Sequence, residues 1–288
     1  MSDYKVFLKD ARGLVGVIEP ASVDLVLSGP PYHNEVVYSQ DQGQLSLIDD
    51  YGDFLKSMAE VWQACAKVLK PGAIAAVWLH DFFRPGAQGH NYIAFHADVA
   101  RSFPPEMQLR DIWVWDRYLN RDKGAWPAGP LGTRCMYVLV LQKQGIHPGN
   151  QELIRRSLER SFWDPVWHKK TVPKFLGSEN LFKAAFYLAK PFGARLQNFK
   201  HKLSRSPAMS DPHAFAVYAT ECPEEIISRL IGDYSRAGDT VLDPFLGSGT
   251  VMKVAKEMGR PCVGFEINAK ALPAIQNKVG LAGLEVIG

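Results

Sequence analysis

An α/β fold, a mostly parallel twisted sheet flanked by helices and carrying an inserted region, is predicted by three features of the sequence. Short β-branched and apolar runs alternate with longer segments of helical periodicity, the pattern of buried parallel strands joined by crossover helices. Two of those runs end in loops rich in Gly and Pro: Gly29-Pro30-Pro31-Tyr32, and Asp243-Pro244-Phe245-Leu246-Gly247-Ser248-Gly249-Thr250. In open α/β sheets, ligands bind at the carboxyl ends of strands. Third, the alternation stops between 145 and 213, where the composition turns basic and aromatic.

The elements follow in order. Val23 to Leu27 is a short apolar run ending at Ser28-Gly29, which predicts a buried strand with the Pro-Pro-Tyr loop at its end. From Asp53 to Leu69, apolar residues at Phe54, Met58, Val61, Trp62, Cys65 and Val68 have helical spacing, and Lys70-Pro71-Gly72 stops the helix. Ile74 to Leu79 reads as the next strand. Ile112 to Trp115 and Met136 to Leu141 read as two more, separated by a Gly- and Pro-rich loop from Asn120 to Gly132 that is long enough to be functional. Pro223 to Tyr234 is an amphipathic helix opened by proline at a first-turn position. Thr240 to Leu242, Thr250 to Met258 and Cys262 to Glu266 then give strand, helix and strand. The resulting divisions are 1–144, 145–213 and 214–288.

Composition bounds the class. A chain of 288 residues with 47% hydrophobic content holds one large α/β domain with an insertion, or two smaller domains. The four cysteines show no C-x-x-C spacing, and the histidines show no metal-ligand spacing, so neither a metal site nor a disulfide framework is indicated. No window approaches the roughly 18 apolar residues of a membrane span. A soluble protein of a reducing cytoplasm is expected.

The net charge of +3 names no partner, but its distribution is informative. Between 145 and 210, Arg and Lys outnumber Asp and Glu and are interleaved with Phe162, Trp163, Trp167, Phe175, Phe182, Phe186, Tyr187, Phe192 and Phe199. A solvated face would also be basic. The aromatic interleaving favours nucleic acid, since phosphates need Lys or Arg while bases need stacking planes.

Two motifs carry the chemistry. Pro30-Pro31 fixes the backbone and supplies no competing N–H, so a backbone carbonyl and the Tyr32 ring can face a flat ligand. The second motif passes from an acid at a strand end through glycines into a helix, and a further acid, Glu266, ends the next strand, a nucleoside-binding βαβ pattern. Gly-Ser-Gly alone would fit an ordinary tight crossover; the whole string is more specific. No Gly-Lys-Ser/Thr follows the glycines, which disfavours a phosphate cradle.

These two motifs, in this order, resemble the beta class of amino-directed DNA methyltransferases, the permuted arrangement in which (Ser/Asp)-Pro-Pro-Tyr precedes the cofactor motif. Leu69-Lys70-Pro71-Gly72 looks like the family's turn after its first helix, and Pro223 to Glu266 follows its C-terminal pattern, so the likeness covers most of 5–143 and 217–280. It implies a Rossmann-like methyltransferase fold, S-adenosyl-L-methionine as cofactor, double-stranded DNA as substrate, and a target-recognition role for 145–213. A cognate restriction endonuclease system is an implied partner, and both monomer and homodimer fit. By the same resemblance Glu266 holds the ribose hydroxyls, and Asp243 with Pro244, Phe245, Gly247, Ser248, Gly249 and Thr250 lines the methionine portion. Asp10 stands where the family has an acid near the adenine, although an early lone Asp also suits a helix cap, and Asn268 joins the cofactor set.

The catalytic set implied is Ser28, Gly29, Pro30, Pro31, Tyr32 and Asn34. The Pro30 carbonyl accepts a hydrogen bond from the target amine, and Tyr32 stacks on the flipped base. Gly29 departs from the pattern, because the family has Ser or Asp there and glycine offers no acceptor. Ser28 or Asn34 is therefore expected to carry the second hydrogen bond. Ala219 to Pro223 and Arg134 to Tyr137 also depart from the family's forms. The stretch from Tyr32 to Ser39 looks like the continuation found among cytosine-N4 members, so cytosine N4 is the expected target. Adenine N6 is the alternative, as is a catalytically degenerate relative that binds DNA or S-adenosyl-L-methionine. No cysteine adjoins Pro30-Pro31, which argues against carbon-5 methylation.

Overall fold

The structure, a computed structural model, describes residues 3–34, 43–86, 89–116, 135–147 and 222–288. The expected loop 120–132 and almost all of the basic insert lie outside these residues. In chain order the first half contains β1 (Tyr4–Phe7), β2 (Val23–Ser28), α1 (Tyr51–Val68), β3 (Leu69–Leu79), β4 (Phe82–Gly86), β5 (Gly89–Ile93), α2 (Phe95–Ser102), β6 (Met107–Asp116) and β7 (Cys135–Lys143). The second half contains α3 (Glu224–Tyr234), β8 (Val241–Asp243), α4 (Thr250–Glu257), β9 (Cys262–Phe265), α5 (Leu272–Val279) and β10 (Leu284–Ile287).

Eight strands form one sheet in the order β10-β1-β9-β8-β2-β3-β7-β6, and β4 and β5 make a separate antiparallel hairpin. The six strands from β10 to β3 are parallel; β7 runs against both β3 and β6. The sheet is therefore mostly parallel and helix-covered, as expected. Its two faces are built by the period of two along each strand. Val26, Ala75 and Val77 pack with α1 and α2 through Phe54, Met58, Trp62, Phe95 and Val99. Leu25, Leu27, Ile74, Ala76 and Trp78 pack on the other face with α3, α4 and α5 through Ile227, Leu230, Val251, Met252 and Ile275.

Local chemistry explains the boundaries. Asp50 caps α1 by accepting from the Asp53 amide at 2.9 Å, which satisfies one of the free N–H groups of the first turn. The expected stop at Lys70-Pro71-Gly72 holds, but these residues do not form a free turn. They open β3, and the register against β2 shifts between Val23 and Leu25, so the Pro-Gly irregularity is absorbed inside the strand. The charged N-terminus contributes a strand: Val6 is fully buried and Phe7 nearly so, with Lys5 less covered, and β1 inserts between β9 and β10.

Candidate active site

The chain leaves β8 through α4 toward β9 on one side, and leaves β2 through α1 toward β3 on the other. Adjacent parallel strands whose connections diverge open a crevice at their carboxyl ends, the topological switch point. Here that crevice lies between Ser28-Gly29-Pro30 and Asp243-Pro244. The two motifs, far apart in sequence, are tied across it by a 2.5 Å hydrogen bond from the Ser28 hydroxyl to Asp243 Oδ1.

One bank of the cavity is carboxylate and backbone amide. Asp243 Oδ1 also accepts from the Phe245 amide at 3.1 Å. Asp243 is 2% exposed, and burial pushes its carboxyl up to about 7 despite these two hydrogen bonds, which work in the opposite direction. Glu266, just past β9, accepts from the Gly247 amide through Oε2 and from the Asn268 amide through Oε1, each at 2.8 Å. One carboxylate thus fixes both loops that frame the cavity.

The glycine turn is held from behind. Lys278 of α5 donates to the hydroxyls of Ser248 at 2.8 Å and Thr250 at 2.9 Å. Gly249 caps α4 with φ +84°, and a Cβ there would stand 3.3 Å from Ile275 and Val279. Glycine is needed for both the left-handed backbone and the close approach of α5.

Asp10 unites the two readings its position allows. It caps a short 3-10 helix, Ala11–Gly16, accepting from the Arg12 amide at 2.9 Å and pairing with the Arg12 guanidinium. It also lines the cavity. Asn268 behaves similarly, capping a following 3-10 turn through a 3.0 Å bond from the Lys270 amide while lining the wall.

On the opposite bank Gly29, Pro30, Pro31 and Tyr32 all line the same cavity. Tyr32 is 4% exposed; its ring stacks on His80 with centroids 4.3 Å apart, and its hydroxyl accepts from the His80 amide at 3.2 Å. The ring plane is therefore fixed by the segment that follows β3.

The structure brings all but three of the expected site residues to the cavity wall: Ser28, Gly249 and Asn34 are not among the lining residues. Ser28 is fully buried, with its hydroxyl turned to Asp243. Alternation along β2 sends its side chain to the face opposite that of position 29, so Ser28 does not take the place of the absent side chain. Asn34 is exposed, with φ +30°. The geometry thus departs from the expectation that either supplies the second acceptor. The sequence reading missed further wall residues, Lys9, Trp78, Cys222 and Ile227 among them. For Trp78 a signal existed, since it sits near the carboxyl end of a strand read correctly. His80, Asp81 and the other histidines form no metal-ligand group among the described residues.

The donor set fits S-adenosyl-L-methionine. Three carboxylates, Asp10, Asp243 and Glu266, and an asparagine suit hydroxyls and an ammonium, and among the described residues that line the wall no cluster of cations awaits a phosphate. Burial pushes the Cys65 and Cys262 thiols up, away from thiolate chemistry.

Fold and site together fit a methyltransferase that uses S-adenosyl-L-methionine. Comparison with known proteins narrows this: the model of the N6/N4 DNA methylase family matches residues 23–277, and the chain belongs to that family. It is 24% identical to the type II methyltransferase M.MjaI of Methanocaldococcus jannaschii over 97% of this chain and 92% of the relative. With M.MthZI of Methanothermobacter thermautotrophicus it shares 23% identity, covering 96% and 76%. Among solved structures, a putative DNA modification methylase from Thermus thermophilus, TTHA0409, complexed with S-adenosyl-L-methionine, superposes with a TM-score of 0.62 at 22% identity, covering 99% of this chain and 100% of that one. The cytosine-N4-specific PvuII DNA methyltransferase gives 0.56 at 16% identity, covering 99% and 97%.

Proposed function

We propose that this chain transfers a methyl group from S-adenosyl-L-methionine to the exocyclic amine of a base flipped out of double-stranded DNA, with cytosine N4 as the amine. The observation that carries the reading is the meeting of Pro30-Pro31-Tyr32 with Asp243 and Glu266 on the two banks of one cavity at the switch point.

When bound, the cofactor supplies an electrophilic methyl on its sulfonium. Glu266 would hold the ribose hydroxyls and Asp243 the ammonium. The amine's lone pair is delocalised into the base, so the protein's task is to orient it by accepting its N–H protons in a dry, fixed site. The Pro30 carbonyl is the acceptor, and Tyr32 receives the flipped base on its ring, offsetting an unstacking cost of a few kcal/mol. The Tyr32 to Ser39 stretch supports cytosine N4, and the basic, aromatic insert supports nucleic acid as substrate. No helix among the described residues is long and apolar enough to cross a membrane.

The test is incubation of the protein with S-adenosyl-L-methionine and mixed-sequence duplex DNA, digestion to nucleosides and mass spectrometry. N4-methylcytosine is expected. N6-methyladenine would keep the chemistry and overturn the base. Gly29, which offers no side-chain acceptor, favours a second reading as a degenerate binder; that reading gains if cofactor binds and no base is modified.

Tyr32→Ala is expected to lower kcat/KM for DNA roughly 10- to 100-fold, the worth of one aromatic-base stack. Cofactor affinity should stay within about threefold. Steady-state kinetics with DNA varied, beside calorimetric cofactor binding, checks this; an equal loss in both would move Tyr32 from the base to the cofactor.

A further inference from the structure

We propose that Trp78 takes the place of the side chain missing at Gly29 and, through its indole N–H, holds the ring nitrogen that adjoins the target amine. The inference rests on the reading of a flipped base in this cavity, and deepens it. A Cβ built on Gly29 would stand 2.3 Å from Trp78 Nε1 and 2.6 Å from Trp78 Cε2. Real side chains do not approach so closely, and an indole that is 7% exposed in a close-packed core has little room to move. Glycine at 29 and tryptophan at 78 therefore form a unit: the indole stands where a Ser or Asp side chain would begin.

The sheet register makes this placement. Ser28 pairs with Val77 across β2 and β3, so position 29 lies beside Trp78, and both point to the face of Leu25, Leu27 and Ala76. Trp78 lines the cavity together with Pro30 and Tyr32, and its Nε1 has no hydrogen-bond partner among the described residues.

The swap changes the chemistry offered to the base. A Ser or Asp oxygen accepts from the amine, whereas an indole N–H only donates. It cannot take the amine's second proton. On both cytosine and adenine, however, the atom beside the aminated carbon on the pairing edge is a ring nitrogen with a free lone pair. A donor at Trp78 beside an acceptor at Pro30 matches that edge as a donor-acceptor pair, the way flipped bases are read. Trp78 is thus a positioning residue that fixes the amine's approach by gripping its neighbour.

The experiment uses the full chain and a duplex containing the base found methylated in the mass-spectrometric test, made also with that base's adjacent ring nitrogen replaced by C–H. Trp78→Phe keeps a ring and removes the donor. On the natural duplex it is expected to lose roughly tenfold in kcat/KM, the scale of one hydrogen bond, with melting temperature and cofactor affinity unchanged. On the C–H duplex, wild type and Trp78→Phe should be equal. A Trp78→Phe enzyme as active as wild type, or one with the same loss on both duplexes, overturns the hydrogen bond.

A second arm needs no DNA. Gly29→Ser is expected to lower the melting temperature by roughly 3–8 °C through overpacking, and Trp78→Leu in the same chain should restore much of that. If wild type methylates no DNA, the flipped-base reading and the hydrogen bond fall together, while the mutual exclusion of the two side chains still stands or falls on this melting series. A Gly29→Ser protein as stable as wild type overturns the exclusion.

Discussion

Glu266→Ala is expected to weaken S-adenosyl-L-methionine binding by 100-fold or more and to lower the melting temperature. Both effects follow from one carboxylate doing two jobs. Its oxygens accept the amides of Gly247 and Asn268. Alanine leaves these two partly buried donors without their acceptor, a cost of about 1–3 kcal/mol each where water does not replace it. The loops that frame the cavity then lose their shared anchor. In the proposed role the same substitution also removes the acceptor for the ribose hydroxyls; hydrogen bonds to a charged group contribute about 1.5–3 kcal/mol. Together these reach the ~3 kcal/mol that corresponds to about 100-fold in Kd.

Glu266→Gln separates the two roles. Its amide oxygen can keep one loop amide, but its NH2 faces the other as donor against donor. Part of the stability should therefore survive while affinity falls about tenfold. Isothermal titration calorimetry with scanning fluorimetry on both variants decides the matter. If Glu266→Ala bound cofactor within threefold of wild type, Glu266 would be a loop anchor only, and the ribose contact would have to be sought elsewhere.

The parts of this site that were legible in the sequence are those written in local pattern. The strand before Pro30, the helix from Asp53 and the strand, turn, helix and strand around Gly247 announce themselves by period and by turn residues, and the first and last of these bring about half of the residues to the cavity wall. What was not legible depends on pairing between distant segments. β1 and β10 have four residues each, too few to show a period, and exist because Tyr4 to Phe7 can pair in register with both Cys262 to Phe265 and Leu284 to Ile287.

The loop from Gly29 to Tyr32 teaches the same lesson at atomic scale. Ser28 adjoins Gly29 in sequence and so looked like its replacement, yet a strand turns neighbours to opposite faces, and Ser28 reaches Asp243 instead. Trp78, remote in sequence, is placed beside Gly29 by one register across β2 and β3. Asp10 was ambiguous between cap and cavity because its structure makes it both.

Asp243→Asn is expected to raise the stability of the cofactor-free protein above pH 7 while costing about 100-fold in cofactor affinity, and the pH dependence of binding identifies the cause. Burial raises the Asp243 carboxyl to about 7, against an ordinary 3.8. Below pH ~4 it is protonated both folded and unfolded. Between about 4 and 7 the folded protein holds a proton that the unfolded chain has released, so this group makes stability fall as pH rises, with no further change above about 7. Asparagine has no charge to bury and keeps an oxygen for the Ser28 hydroxyl and the Phe245 amide, so the penalty is relieved.

Binding has the opposite sign. The cofactor's ammonium favours the ionised carboxylate, so below pH ~7 binding must expel the proton, and Kd should rise about tenfold per pH unit. Above roughly 7.7–8 an α-amino group loses its own charge. Affinity should therefore peak in a narrow window between about 7 and 8. In Asp243→Asn the acid limb should vanish, and with it the buried charge pair whose loss sets the 100-fold penalty. Calorimetric titrations of both proteins from pH 5.5 to 8.5, with melting temperatures over the same range, read both signs. Parallel binding profiles would show that Asp243 braces the switch point through Ser28 without meeting the ammonium. The pairing of greater stability with weaker binding would instead mark Asp243 as a charge kept in the core for the cofactor it receives.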